Sequence, residues 1–218
     1  MGMLARQKST YVDNAAHMLH HAGRCFPCDR DVEALALWNG HALLLSSDTD
    51  CLSLWDSEGL IRTARVGVYP QDMAVAGSTA YVCGGADGML HLLDLPELRE
   101  SSDFLLPGMP ERVCIHENKA YILTLLSDDD VQTALLRLDL PLGASHEIMR
   151  FPGLPGTIAA DGSGLWTGVS ELVLHLPYGA KDADLLIKGF GLPRYIEVQS
   201  EGVLVVDELE DRTIFIRI

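Results

Sequence analysis

Cys25, Phe26, Pro27 and Cys28 form a Cys-x-x-Cys pair, with His17, His20 and His21 just upstream. Two thiolates at this spacing, joined by one or two imidazoles, suit a tetrahedral zinc ion. The same pair could instead cycle between thiol and disulfide. Against zinc, no second close pair of ligands is present, and His17 and His20 would point to opposite faces of a strand. Two ordinary cysteines, with Pro27 holding the thiols apart, is the simplest reading, so no metal and no cofactor is expected. Asp128, Asp129 and Asp130 crowd one short stretch. A calcium loop needs alternating carboxylates and a glycine turn, so a solvated hairpin tip is expected there. His41, His91, His116, His146 and His175 are scattered without ligand spacing. No phosphate-cradling Gly loop, nucleophile elbow or helical zinc motif is present.

The elements that must position these residues come from a repeat. In Gly67-Val68-Tyr69-Pro70 a Gly and a Pro lead into a short apolar run, Met73 to Ala76. A polar turn and a second apolar run, Ala80 to Cys83, follow. The same order returns from Gly108, from Gly153 and from Gly191, and more loosely from Gly23. Pro27, Pro70, Pro110, Pro155 and Pro193 recur at intervals of about 40 residues, the length of a four-stranded propeller blade. Short runs bounded by Gly, Asn, Asp and Ser are the grammar of strands and hairpins. Each hairpin is followed by a third run, such as Leu52 to Trp55 or Met89 to Leu95. A weaker fourth follows, such as Ile61 to Val66 or Asp103 to Leu106.

The expected fold is therefore all-β: a five-bladed β-propeller of four-stranded antiparallel blades, forming a single domain over residues 1–218. The last repeat ends after its third strand at Ile218, and His17 to His21 is a candidate for the missing fourth. The ring would then be closed by an N-terminal strand completing the C-terminal blade, which removes exposed edges. Residues 1–12 are expected to trail as a loose tail.

Ala80-Tyr81-Val82-Cys83, the turn Gly84 to Gly88 and the strand Met89 to Leu95, with its Asp94, resemble the repeat of YVTN-type β-propellers. The resemblance covers most of the chain after about Gly23 and implies a propeller. Larger members of that family carry about seven blades, and this chain has room for five. No activity follows, because the fold hosts lyases, lactonases, lectins and interaction platforms alike. Trp55-Asp56 is a single copy of the Trp-Asp dipeptide of another propeller family, without the accompanying Gly-His.

The two residues after each repeat's proline should ring one mouth of the central channel. They are Cys28 and Asp29, Gln71 and Asp72, Glu111 and Arg112, Gly156 and Thr157, and Arg194 and Tyr195. Converging loops suit ligand capture. Asp29, Asp72 and Thr157 would offer polar contacts, Arg112 and Arg194 could clamp a carboxylate or phosphate, and Tyr195 would give a flat contact. The alternative is an ordinary polar rim with Asp–Arg pairs between blades. Inner-strand positions near the axis carry small residues, Ala34, Ala36, Ala74, Ala76, Cys114, Ala159 and Ala160, and Glu197 breaks that pattern. A carboxylate there needs a partner or a raised pKa. It is either a ligand anchor or a water-solvated channel group.

The net charge of −15 argues against general nucleic-acid binding, which needs Lys and Arg to displace counterions. No apolar run reaches the ~20 residues of a membrane-spanning helix, so no membrane partner is expected. An odd number of cysteines with no export signal points to reduced thiols in the cytoplasm. The function expected is a non-catalytic propeller scaffold, binding an unknown protein or small molecule at the channel mouth. The alternative is a propeller lyase or hydrolase, metal-assisted or not, acting at the same place. Oligomeric state is left open.

Overall fold

The structure is a computed structural model that describes residues 3–7, 10–126, 130–141 and 143–218. Asp128 and Asp129 of the acidic stretch lie outside the described residues. Among the described residues every regular element is a strand. Blade 1 comprises β1 (Met3–Gln7), β2 (Thr10–Asp13), β3 (Met18–His21) and β4 (Arg24–Pro27). Blade 2 comprises β5 (Val32–Trp38), β6 (His41–Ser46), β7 (Cys51–Trp55) and β8 (Leu60–Arg65). Blade 3 comprises β9 (Asp72–Ala76), β10 (Thr79–Cys83), β11 (Met89–Asp94) and β12 (Arg99–Leu105). Blade 4 comprises β13 (Met109–His116), β14 (Lys119–Leu126), β15 (Gln132–Asp139) and β16 (Ala144–Pro152). Blade 5 comprises β17 (Pro155–Ala160), β18 (Gly164–Val169), β19 (Leu172–Pro177) and β20 (Leu185–Lys188). Blade 6 has three strands, β21 (Pro193–Gln199), β22 (Gly202–Asp207) and β23 (Arg212–Arg217).

The fold is thus an all-β, six-bladed β-propeller with blades of three or four antiparallel strands. It corrects the expectation of five blades in two ways. Residues 3–7 and 10–13 are strands of a further blade rather than a tail. His17 to His21 does contain a strand, but β3 pairs with β2 and β4 in blade 1 and does not complete the last blade. Local sequence marks a strand well, but its hydrogen-bonding partner is non-local information.

The chain divides into two compact units, Met1–Glu111 and Arg112–Ile218. In the first unit, β1 packs beside β5 and β5 beside β9; in the second, β17 packs beside β21. Both faces of central strands such as β6 and β18 are buried, which explains why these middle runs are continuously apolar rather than alternating. On β6, Leu43 and Leu45 join Met73, Val82 and Leu93 of blade 3. Their neighbours Ala42 and Leu44 point the other way, to Val12 and Leu19 of blade 1. The second unit repeats the scheme: Leu165 packs with Tyr121 and Leu135 of blade 4, and Trp166 with Ile196 and Val203 of blade 6. Burial of this kind stabilises by about 2 kcal/mol per large aliphatic side chain. Outer strands such as β8 and β12 are largely exposed, which is why their pattern is weak in sequence. The tight turn at Asn39-Gly40 has positive φ at both residues, 47° and 82°, as a two-residue hairpin of matching twist demands.

Candidate functional site

The best-built surface feature lies at the end of blade 3 where β9 begins. Three connections meet there: the lead into β9 (residues 66–71), the β10–β11 loop (84–88) and the link from β12 to β13 (106–108). Backbone hydrogen bonds stitch them together. Gln71 N–H donates to Cys83 O at 3.0 Å, Ala86 N–H to Val68 O at 3.1 Å, and Leu106 N–H to Gly88 O at 2.9 Å. Gly85 is required at its place. Its φ is +57°, and a Cβ there would stand 2.3 Å from the carbonyl oxygen of Tyr69.

On this stitched backbone stand Val68, Tyr69 and Leu105, exposed at 51%, 58% and 75%. Tyr69 has φ of 55°, a left-handed conformation unusual for an aromatic residue and disfavoured before a proline. Asp50, in the β6–β7 turn of blade 2, holds it there. Tyr69 N–H donates to Asp50 Oδ1 at 2.8 Å, and Arg65 Nη2 donates to Oδ2 at 3.1 Å. The Tyr69 amide, ahead of the Arg65 contact, keeps the Asp50 carboxyl below its ordinary pKa.

Beneath the β10–β11 loop sits His91 on β11, buried between two carboxylates. Its Nε2 is 2.9 Å from Asp87 Oδ2 and its Nδ1 2.7 Å from Glu100 Oε1. Burial disfavours the imidazolium, but the hydrogen bonds and charges of Glu100 and Asp87 outweigh it and raise the His91 pKa. Asp87 Oδ1 also accepts from Met89 N–H at 2.9 Å, so the histidine anchors the loop. Gly84 makes room for this pair, since a Cβ there would lie 2.2 Å from Asp87 Oδ1.

Blade 5 carries a related network. His175 Nδ1 is 2.8 Å from Asp184 Oδ1, and its Nε2 is 3.1 Å from Ser163 Oγ. The order Ser–His–Asp is that of a nucleophilic triad, but here Ser163 Oγ donates to Asp161 Oδ1 at 2.6 Å. The amides of Ser163 and Gly164 also donate to Asp161, and Trp166 Nε1–H donates to its other oxygen. Burial pushes the Asp161 carboxyl up, but these four hydrogen bonds prevail and hold it at about 2. The amides that could cradle an oxyanion are thus already committed to a carboxylate. The arrangement ties the β17–β18 hairpin to β19.

In the first unit a groove of about 460 Å³ runs between blades 1 and 2. Pro27, Cys28 and Asp29 line one side, and Cys51, Ser53 and Trp55 the other. Burial, then the charge of Asp29, pushes the Cys28 thiol up to about 11. Among the described residues, no group of three or more His, Cys, Asp or Glu is placed to hold a metal ion.

Of the residues expected at a channel mouth, Asp29 lies ahead of its first strand, whereas Asp72, Arg112, Thr157, Arg194 and Tyr195 fall within β9, β13, β17 and β21. Asp29 precedes β5, is exposed, and accepts from Thr49 Oγ1 at 3.2 Å. Asp72 opens β9, and its Oδ1 accepts from the adjacent Met73 amide at 2.9 Å. Arg112 Nε donates to Gly156 O at 2.8 Å, and the carbonyl of buried Thr157 accepts from Thr167 Oγ1 at 3.1 Å. Arg194 Nε donates to Glu208 Oε2 at 2.7 Å. Glu197 is exposed, with its oxygens 3.3 Å from Tyr195 Oη and 3.3 Å from Gln199 Nε2 along the same strand face. The carboxylate therefore finds its partners locally on β21. Within the first unit, Asp72 shares an end of blade 3 with Val68, Tyr69 and Leu105. Sequence reading passed over Tyr69 because it lies on the near side of Pro70, and over Leu105 because it reads as an ordinary outer-strand residue. The available signal was an aromatic placed directly before a loop proline.

No family model and no curated protein matches the chain. Solved structures resemble it in fold at low sequence identity. The RRP9 WD40 repeats match with a TM-score of 0.68 at 18% identity, over 91% of this chain and 68% of that one. A chain of the nidogen/laminin complex matches with a TM-score of 0.76 at 10% identity, over 95% and 85%. Kuenenia stuttgartiensis hydrazine synthase matches with a TM-score of 0.64 at 12% identity, over 96% and 89%. At these identities the likeness establishes the β-propeller fold, with WD40 repeats among the neighbours.

Proposed function

We propose that the chain is a non-catalytic, protein-binding propeller scaffold whose docking surface includes the Tyr69 platform of blade 3. One observation carries the reading: Val68, Tyr69 and Leu105 stand exposed together on backbone held by hydrogen bonds. Exposed apolar side chains grouped on one surface mark interaction sites more often than scattered ones do. Tyrosine is favoured as a binding anchor, and preformed loops lower the entropy cost of docking. The left-handed Tyr69 is a sparsely populated conformation that Asp50 and Gly85 maintain, and such conformations cluster at functional sites. Resemblance to WD40 repeats and to a chain in a protein complex supports the reading at the level of class.

The test compares immobilised wild-type chain with Tyr69→Ala and Leu105→Asp in capture from cell extract. Ile218→Asp, at a residue 70% exposed in the second unit, is the control. Proteins retained by wild type and control are expected to be lost from both platform variants. Equal retention by all four chains would place the docking surface elsewhere.

A further inference from the structure

We infer that Cys25 and His20 form a reactive thiol–imidazole pair that takes small disulfides into a mixed disulfide at Cys25. The pair is set by strand register. His20 on β3 lies directly opposite Cys25 on β4, and Tyr11 on β2 lies opposite His20. Directly opposed residues share a sheet face. The three side chains therefore form a row across blade 1, on the face opposite Val12, Leu19 and Phe26, which pack toward blade 2. Cys25 Sγ is 3.1 Å from His20 Nδ1, and the Tyr11 ring stacks on the imidazole at 4.2 Å and 8°. The stack fixes the ring plane and aims Nδ1 at the sulfur. Cys25 itself is exposed on the outer strand.

Three other thiols are placed differently. Cys28 turns into the groove toward blade 2, where burial and Asp29 keep it protonated. Cys51 Sγ–H donates to Thr49 O at 3.2 Å, and Cys83 is buried. Since the thiolate is the nucleophile, Cys25 differs from these three in combining access with an adjacent base. In the reaction, His20 Nδ1 takes the Cys25 proton and Sγ attacks one sulfur of a small disulfide. The sulfur–sulfur bond breaks, and the departing thiolate takes the proton from His20. One disulfide is exchanged for another, with no net oxidation. Cys28, three residues on along extended chain, faces away and does not displace the adduct.

The test incubates the reduced full chain with oxidised glutathione at neutral pH, following adducts by intact mass and peptide mapping. Cys25 is expected to react about tenfold faster than Cys28, Cys51 or Cys83. Cys25→Ser should remove the fast phase, and Cys28→Ser should leave it unchanged. His20→Ala should slow it about fivefold or more, and added imidazole should restore it, a rescue that loss of folding would not allow. A fast phase at another cysteine would overturn the inference. So would an unchanged rate in His20→Ala, or a slowed rate that imidazole does not restore.

Discussion

The Tyr69 amide and the Asp50 carboxylate meet at 2.8 Å, joining the turn of blade 2 to the lead into blade 3. One side chain thereby fixes the backbone of the platform's exposed aromatic residue. Asp50→Ala is expected to cost about 0.5–1 kcal/mol, a charge-assisted hydrogen bond discounted for its solvent exposure. Denaturant unfolding reads that cost. The larger effect should be on partner capture, because Tyr69 loses the contact that holds its conformation.

Two glycines of blade 3 with nearly the same φ separate conformational strain from steric clash. Gly77 has φ of +59°, and a Cβ added there would meet nothing within 4 Å, whereas a Cβ on Gly85 would strike Tyr69 O. Gly77→Ala should cost about 1 kcal/mol, the left-handed penalty alone. Gly85→Ala should cost about 2 kcal/mol or more and disturb the platform. Thermal unfolding of the two variants side by side checks the difference, and equal losses would remove the role assigned to Gly85.

His91 makes stability depend on pH in a definite direction. Its pKa is raised above the ordinary 6.5 in the folded chain by Glu100 and Asp87, against the effect of burial. The folded state therefore binds the proton more tightly than the unfolded chain does. Its contribution is fully present below pH 6.5 and is lost as pH rises through the raised value. His91→Asn should flatten that part of the profile, measured as unfolding free energy across the neutral range. An identical slope in the variant would mean another group is responsible.

Asp207 acts in the opposite sense. Its buried carboxylate accepts the amides of Gly191 and Leu192 and the guanidinium of Arg212, which also donates to Gly189 O. Burial pushes its pKa up, but these hydrogen bonds and the Arg212 charge prevail and lower it below 3.8. The stabilisation is present above pH 3.8 and lost as pH falls through the lowered value. Asp207→Ala should cost about 3 kcal/mol at neutral pH, because it strands two amides and an arginine. It should also reduce the acid sensitivity of unfolding followed by circular dichroism.

By itself the sequence determined that the chain is built from short antiparallel strands in repeats of about 40 residues. It also placed nearly every strand from blade 2 onward, because apolar runs and turn residues are local signals. Residues Met3 to Pro27 defeated that reading, since blade 1 begins without the Gly–Pro lead that marks the others. Its β3 was recognisable as a strand but not as a member of its own blade, because a strand's pattern does not name the strand it will bond. Glu197 shows the same limit on a smaller scale. Its deviation from the small-residue pattern was legible, but its exposure and its bonds to Tyr195 and Gln199 depend on packing around β21. Only the tertiary structure brought Asp50 to Tyr69, 19 residues apart, and laid Gly85 against the Tyr69 carbonyl. Such contacts depend on how blades stack, and the fine adjustment of that stacking leaves no trace in residue order.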